Sequence, residues 1–126
     1  MARVLVFDTE GEVNHFKLAE CNELSDFYEN LHCDTFDIAN RDVGGKRFDI
    51  FVDDIGLFRE NPRVSAIRLV GDDIEPMLVG NLVFANHNAQ GETTSLSDDD
   101  INLIIQSSVA VMRFDGKVEF VVVCDY

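Results

Sequence analysis

The stretch Val109-Ala110-Val111-Met112-Arg113-Phe114-Asp115-Gly116-Lys117-Val118-Glu119-Phe120-Val121-Val122-Val123-Cys124 decides the fold class. Two apolar runs, Val109 to Phe114 and Lys117 to Cys124, flank Asp115-Gly116. Asp-Gly between such runs is a strong signal for a two-stranded hairpin, because glycine reaches the positive φ of the tight turn. Working outward, the same arrangement recurs at the other end of the chain, where Arg3 to Asp8 and Glu12 to Leu18 flank Thr9-Glu10-Gly11. Between them, Thr35 to Ala39 and Arg47 to Asp53 alternate polar and apolar residues around a turn at Gly44-Gly45. Asp54-Ile55-Gly56 then breaks the strand, and Asn61-Pro62 marks a loop, since the residue before proline is pushed out of helical geometry. Val64 to Val70 reads as a strand ended by Gly71-Asp72-Asp73. Met77 to Ala85 reads as one longer apolar strand, in which Gly80-Asn81 marks a bulge or a place of close approach.

Two segments carry helical spacing instead. In Asn22 to Leu31 the apolar residues Leu24, Phe27, Tyr28 and Leu31 recur at i, i+3, i+4 and i+7, with Asn22 as the expected N-cap. The second helix is signalled by Leu96-Ser97-Asp98-Asp99-Asp100-Ile101. Ser97 is a natural N-cap with Asp100 as its N3 partner, Leu96 can staple against Ile101, and three carboxylates meet the positive end of the helix dipole. This helix is expected from Asp98 to about Gln106. The expected fold is α+β, an antiparallel or mixed sheet built from hairpins with two helices packed on one face, in a single domain over residues 1–126 around one core.

The 126 residues are 46% hydrophobic and 27% charged, the composition of a chain that folds. Ten basic against 24 acidic side chains give a formal net charge of −14, which repels phosphate backbones and anionic lipid. Direct nucleic-acid binding and membrane association are therefore not expected. No apolar run reaches the roughly 20 residues of a bilayer span, and the N-terminus reads as a strand rather than a signal peptide. Cys21, Cys33 and Cys124 are odd in number and widely spaced, which points to reduced thiols in a cytoplasmic protein.

The chemistry-bearing residues form no catalytic pattern. His15, His32 and His87 lie in three different segments without metal-ligand spacing, and His32-Cys33 is more simply an accidental neighbour pair than a zinc site. Asp53-Asp54, Asp72-Asp73 and Asp98 to Asp100 lack the alternating oxygen ligands of a calcium loop. No glycine-rich phosphate loop and no nucleophile elbow occur. No cofactor, metal or catalytic residue is expected.

Three segments taken together resemble a known family. They are Phe48-Asp49-Ile50-Phe51-Val52-Asp53-Asp54-Ile55-Gly56-Leu57, Pro76-Met77-Leu78-Val79-Gly80-Asn81-Leu82-Val83-Phe84, and Gly91-Glu92-Thr93-Thr94-Ser95-Leu96-Ser97-Asp98-Asp99-Asp100-Ile101. Over roughly residues 35–105 the chain resembles the domain of unknown function 3846 family, small proteins of bacteria such as Firmicutes and of their phages and mobile elements. The first and last hairpins carry none of the likeness. The resemblance implies a setting and no activity. The shared motifs read as scaffold: a turn glycine at Gly56, a tight-packing glycine at Gly80 and a capped helix start at Ser97.

Three functions follow as expectations. The first is a non-enzymatic interaction protein, an accessory factor of mobile-element type, that binds a basic protein partner through the surplus acids Glu10, Glu12, Glu20, Glu23, Asp26 and Glu29. The second is a small-ligand binder or enzyme with a concave pocket where Asn40, Arg41, Asp53, Asp54, Asn81 and His87 meet. The third is a self-associating homo-oligomer in which the strand Glu119 to Cys124 pairs across a dimer edge.

Overall fold

A computed structural model describes residues 2–59, 62–113 and 115–126. Among the described residues, ten strands form two sheets and are accompanied by two α-helices. Sheet A contains β1 (Ala2–Asp8), β2 (His15–Cys21), β3 (Phe36–Val43), β4 (Lys46–Asp53) and β7 (Leu82–His87) in the order β2-β1-β7-β4-β3, with the two-residue β8 (Thr93–Thr94) beside β7. Sheet B contains β5 (Val64–Val70), β6 (Asp73–Val79), β9 (Ser108–Met112) and β10 (Val118–Val123) in the order β6-β5-β10-β9. All pairings are antiparallel except that of β10 with β5, where Val122 lies opposite Ala66. The fold is thus mixed α and β with mostly antiparallel strands.

The helices differ from expectation in placement more than in extent. Helix α2 (Asp98–Gln106) has the bounds its cap signal gives: Ser97 Oγ accepts from Asp100 N at 3.1 Å, and Asp100 Oδ2 accepts from Ser97 N at 3.1 Å. Helix α1 (Leu24–Leu31) is capped by Glu23 rather than Asn22, since the Asp26 carboxylate accepts both the Glu23 and the Asn22 backbone N–H. The two helices do not share a face. Phe27 and Leu31 of α1 pack with Val4, Val6, Phe51 and Val83, whereas Ile101 and Ile104 of α2 pack with Leu5, Phe7, Ile50 and Phe84. Alternate residues of a strand point to opposite faces, so α1 covers one side of sheet A, while α2 and sheet B cover the other. Sheet A is buried on both sides and divides the apolar interior into two layers instead of one.

The expected strand Met77 to Ala85 is two strands in two sheets. Leu78 pairs with Ala66 in sheet B, and Leu82 pairs with Phe7 in sheet A. The crossing lies at Gly80-Asn81, where Gly80 has φ +74°, a conformation L side chains rarely adopt, with open space around it. Gly56, in the short 3-10 turn Gly56–Phe58, has the tight contact instead: a Cβ there would stand 2.9 Å from Val79 Cγ2. The roles expected of these two glycines are exchanged. Pro62 begins the described chain before β5, and Asn61 and Phe114, placed by sequence in a loop and a strand, lie outside the described residues.

Candidate functional site

Sequence motifs from four parts of the chain meet around a cavity of about 290 Å³, lined by residues that include Glu10, His32, Asp53, Arg59, Arg63 and Asn81. Asn81, on the crossing between sheets, is buried and spends its amide on backbone. Its Oδ1 accepts from Thr9 N at 2.8 Å and Thr9 Oγ1 at 2.9 Å, and its Nδ2 donates to Asn30 O at 3.0 Å. Arg59 pairs with Asp53 at 2.6 Å, which holds its guanidinium charged beyond the usual range. Arg63 donates to the Thr9 carbonyl at 2.9 Å and the Glu12 carbonyl at 2.8 Å, and pairs with Glu119 at 3.1 Å. The lining is a set of clamps: it fastens the loop between β1 and β2, and the end of α1, to both sheets. Glu10 and His32 are the lining side chains with no hydrogen bond or ion pair among the described residues.

The six residues expected to form a pocket do not converge. Asp53 and Asn81 reach the cavity, while Asp54 accepts a bond from Thr35 Oγ1 beside it. Asn40 and His87 meet elsewhere on sheet A, joined by Asp49. Asn40 Nδ2 donates to Asp49 Oδ1, and His87 Nδ1 lies 2.8 Å from Asp49 Oδ2. Arg41 stays outside this cluster: its Nη1 donates to the Asn40 carbonyl at 2.8 Å, and its guanidinium carbon lies 5.3 Å from the Tyr126 ring centroid. Asp49 is the residue that sequence reasoning missed. Its signal was a lone carboxylate inside the apolar run Phe48-Asp49-Ile50-Phe51, where burial demands partners.

The six surplus acids surround one edge of the molecule. Glu10 and Glu12 lie in the loop before β2, Glu20 lies on β2 opposite Arg3, and Glu23, Asp26 and Glu29 belong to α1 or its cap. β2 is an outer strand of sheet A. Its Phe16, Leu18 and Glu20 face the side of Leu5 and Phe7, and its Ala19 and Cys21 face the side of α1, so the acids flank this edge from both faces. Among the described residues, none of the six takes part in an ion pair. By contrast, Asp8, Asp42, Asp53, Asp98, Asp100 and Asp125 are each paired with Lys or Arg. Glu23 and Asp26 have a structural duty in the capping box of α1, and the two backbone donors of Asp26 lower its pKa.

Cys21 and Cys124 are buried in the two different apolar layers, and burial pushes both thiols up to about 11. His32 and Cys33 follow α1, with His32 in the left-handed conformation at φ 54° as its C-cap. Among the described residues, no three His, Cys, Asp or Glu side chains group as metal ligands, and no helix is long and apolar enough to cross a membrane. The dimer edge expected at Glu119 to Cys124 is not an edge. β10 is paired along one side with β9 and, at Val122 and Val123, with β5 on the other, so it lies inside sheet B rather than at its border.

Searches of the curated proteins and of the solved structures find no match to the chain. The family model described as Domain of unknown function (DUF3846) matches residues 2–108. The match runs wider than the three motifs: it takes in β1, β2 and α1 and ends as β9 begins. With that span of the 126 residues matched, the chain belongs to the domain of unknown function 3846 family.

Proposed function

We propose that this protein is a non-enzymatic interaction protein, a cytoplasmic accessory factor of the mobile-element type, that binds a basic protein partner along the acidic β2 edge. The single domain expected from its length is part of the same proposal. The observation that carries it is that Glu10, Glu12, Glu20, Glu23 and Glu29 gather around one outer strand and that, among the described residues, none of them takes part in an ion pair. Exposed charge clustered on one rim steers an oppositely charged partner and fixes its register. The outer strand β2 adds unpaired backbone groups, and its Leu18, 57% exposed, gives the rim an apolar contact between the acids. The cavity supports this reading over a small-ligand pocket, because its polar side chains are mostly spent on each other and on backbone.

The test is capture from a lysate of the native host on immobilised protein, with wild type compared against a variant carrying Gln at positions 10, 12, 20, 23 and 29. A basic protein retained by wild type and lost by the variant is the expected result. Equal retention by both, or no basic protein on either, contradicts the proposal.

A further inference from the structure

The face of sheet B turned away from sheet A is apolar and open. Ala66, Val122 and Cys124 point into the inner layer, so strand register places Ile67, Val121 and Val123 on the opposite side. On that side Ile67 lies opposite Pro76, Leu69 opposite Ile74, and Val121 opposite Val109. A groove of about 970 Å³ runs across it, with buried Ile67 and Val121 on its floor and Ile74 and Met112, 56% and 74% exposed, on its rims. Exposed apolar surface of this extent on a folded domain marks a place where another molecule sits.

The charge on this face indicates which molecule. Among the described strand residues, Glu119 is the only acid on it. Arg63 at 3.1 Å and Arg113 at 3.8 Å hold Glu119, and Arg113 also holds Asp115 on the rim at 3.2 Å. In a chain of net charge −14, the described strand residues on this face carry no unpaired carboxylate, and the unpaired Asp72 and Asp73 lie at the β5–β6 turn at its end. A basic partner finds little along these strands to pair with. Two copies of the chain repel across the acidic β2 edge, but on this face they meet apolar surface with apolar surface, and their Arg113 and Asp115 groups offer both signs of charge to each other.

We propose that the outer face of sheet B binds a second copy of the same chain in a two-fold symmetric dimer. This interface is separate from the β2 edge, and the two sites respond oppositely to salt. Screening weakens the attraction of a basic partner to the acids. The same screening relieves the mutual repulsion of two anionic copies, so self-association tightens as salt rises.

The experiment is the solution mass of the full chain by sedimentation equilibrium, over a range of protein and salt concentrations. The expected mass approaches twice the 14.2 kDa of one chain, and the dimer fraction grows with salt. Ile74→Glu and Met112→Glu, each on an exposed rim, return the mass to 14.2 kDa, while Leu18→Glu on the β2 edge leaves the dimer intact. Circular dichroism identifies a variant that fails to fold, and the other rim variant then decides. A wild type that stays monomeric throughout, or a dimer that persists in the folded rim variants, overturns the proposal.

Discussion

Asp100 shows how one side chain ties a helix to a sheet. Its carboxylate accepts from Ser97 N at the start of α2, from Asn86 Nδ2 on β7 at 2.9 Å, and from Lys46 Nζ on β4. Burial alone would raise its pKa. The Lys46 ammonium and the Ser97 and Asn86 donors outweigh that and hold it at about 2, against an ordinary value of 3.8. Because the folded value is depressed, its contribution to stability is fully present above the unfolded value and is lost as pH falls from about 3.8 through about 2. Asp100→Asn should cost about 2 kcal/mol near neutral pH, the sum of a weakened cap and lost charge-assisted bonds. Urea denaturation measures the loss, and the gap to wild type should close as the solution is taken down to about pH 2. Ser97 and its N3 carboxylate made this helix start readable from sequence, but nothing local showed that Lys46 and Asn86 would join it.

At the scale of elements, β10 sits inside sheet B and bonds on both sides. Val122 is fully buried against Ala66 in the inner layer, whereas Val118 on the same strand is 53% exposed. Val122→Ala should destabilise by about 2 kcal/mol, since it removes buried methyl groups and leaves a void, and Val118→Ala should stay within about 0.5 kcal/mol. A pair of urea titrations separates them. The contrast also shows what the sequence could convey. Alternation and turn residues located β1, β4, β5 and β10 to within a few residues, because they act over neighbouring positions. They could not assign a strand to a sheet. The run from Met77 to Ala85 is apolar on both sides of Gly80-Asn81 because both β6 and β7 lie against the core, so the break shows only at that pair, where Gly80 takes a positive φ. The side of sheet A that each helix covers is set by register with distant strands, which helical periodicity does not contain. The same limit hid the Asn40, Asp49 and His87 cluster, whose members come together only through the pairing of β4 with β3 and β7.

Over the whole molecule the acids behind the net charge of −14 play different parts. Among the described residues, some are paired with Lys or Arg, some cap helices and turns, one group lies unpaired around the β2 edge, and others, such as Asp34, Asp72 and Asp73, are unpaired in or beside turns elsewhere. The strands of the outer face of sheet B are apolar by comparison. The family match takes in the β2 edge and α1, so the acids proposed to bind a partner lie in the matched part, while β10 and most of β9, which complete the apolar face, lie beyond residue 108. The measurement that bears most directly on the central claim is the dissociation constant of the captured basic partner as salt rises from roughly 0.1 M to roughly 1 M, where the screening length falls from about 10 Å to about 3 Å. An acid-driven contact at the β2 edge predicts at least a roughly tenfold loss of affinity over that range, with most of the salt dependence gone in the five-Gln variant. An affinity that holds steady with salt, or falls equally for both proteins, would contradict it.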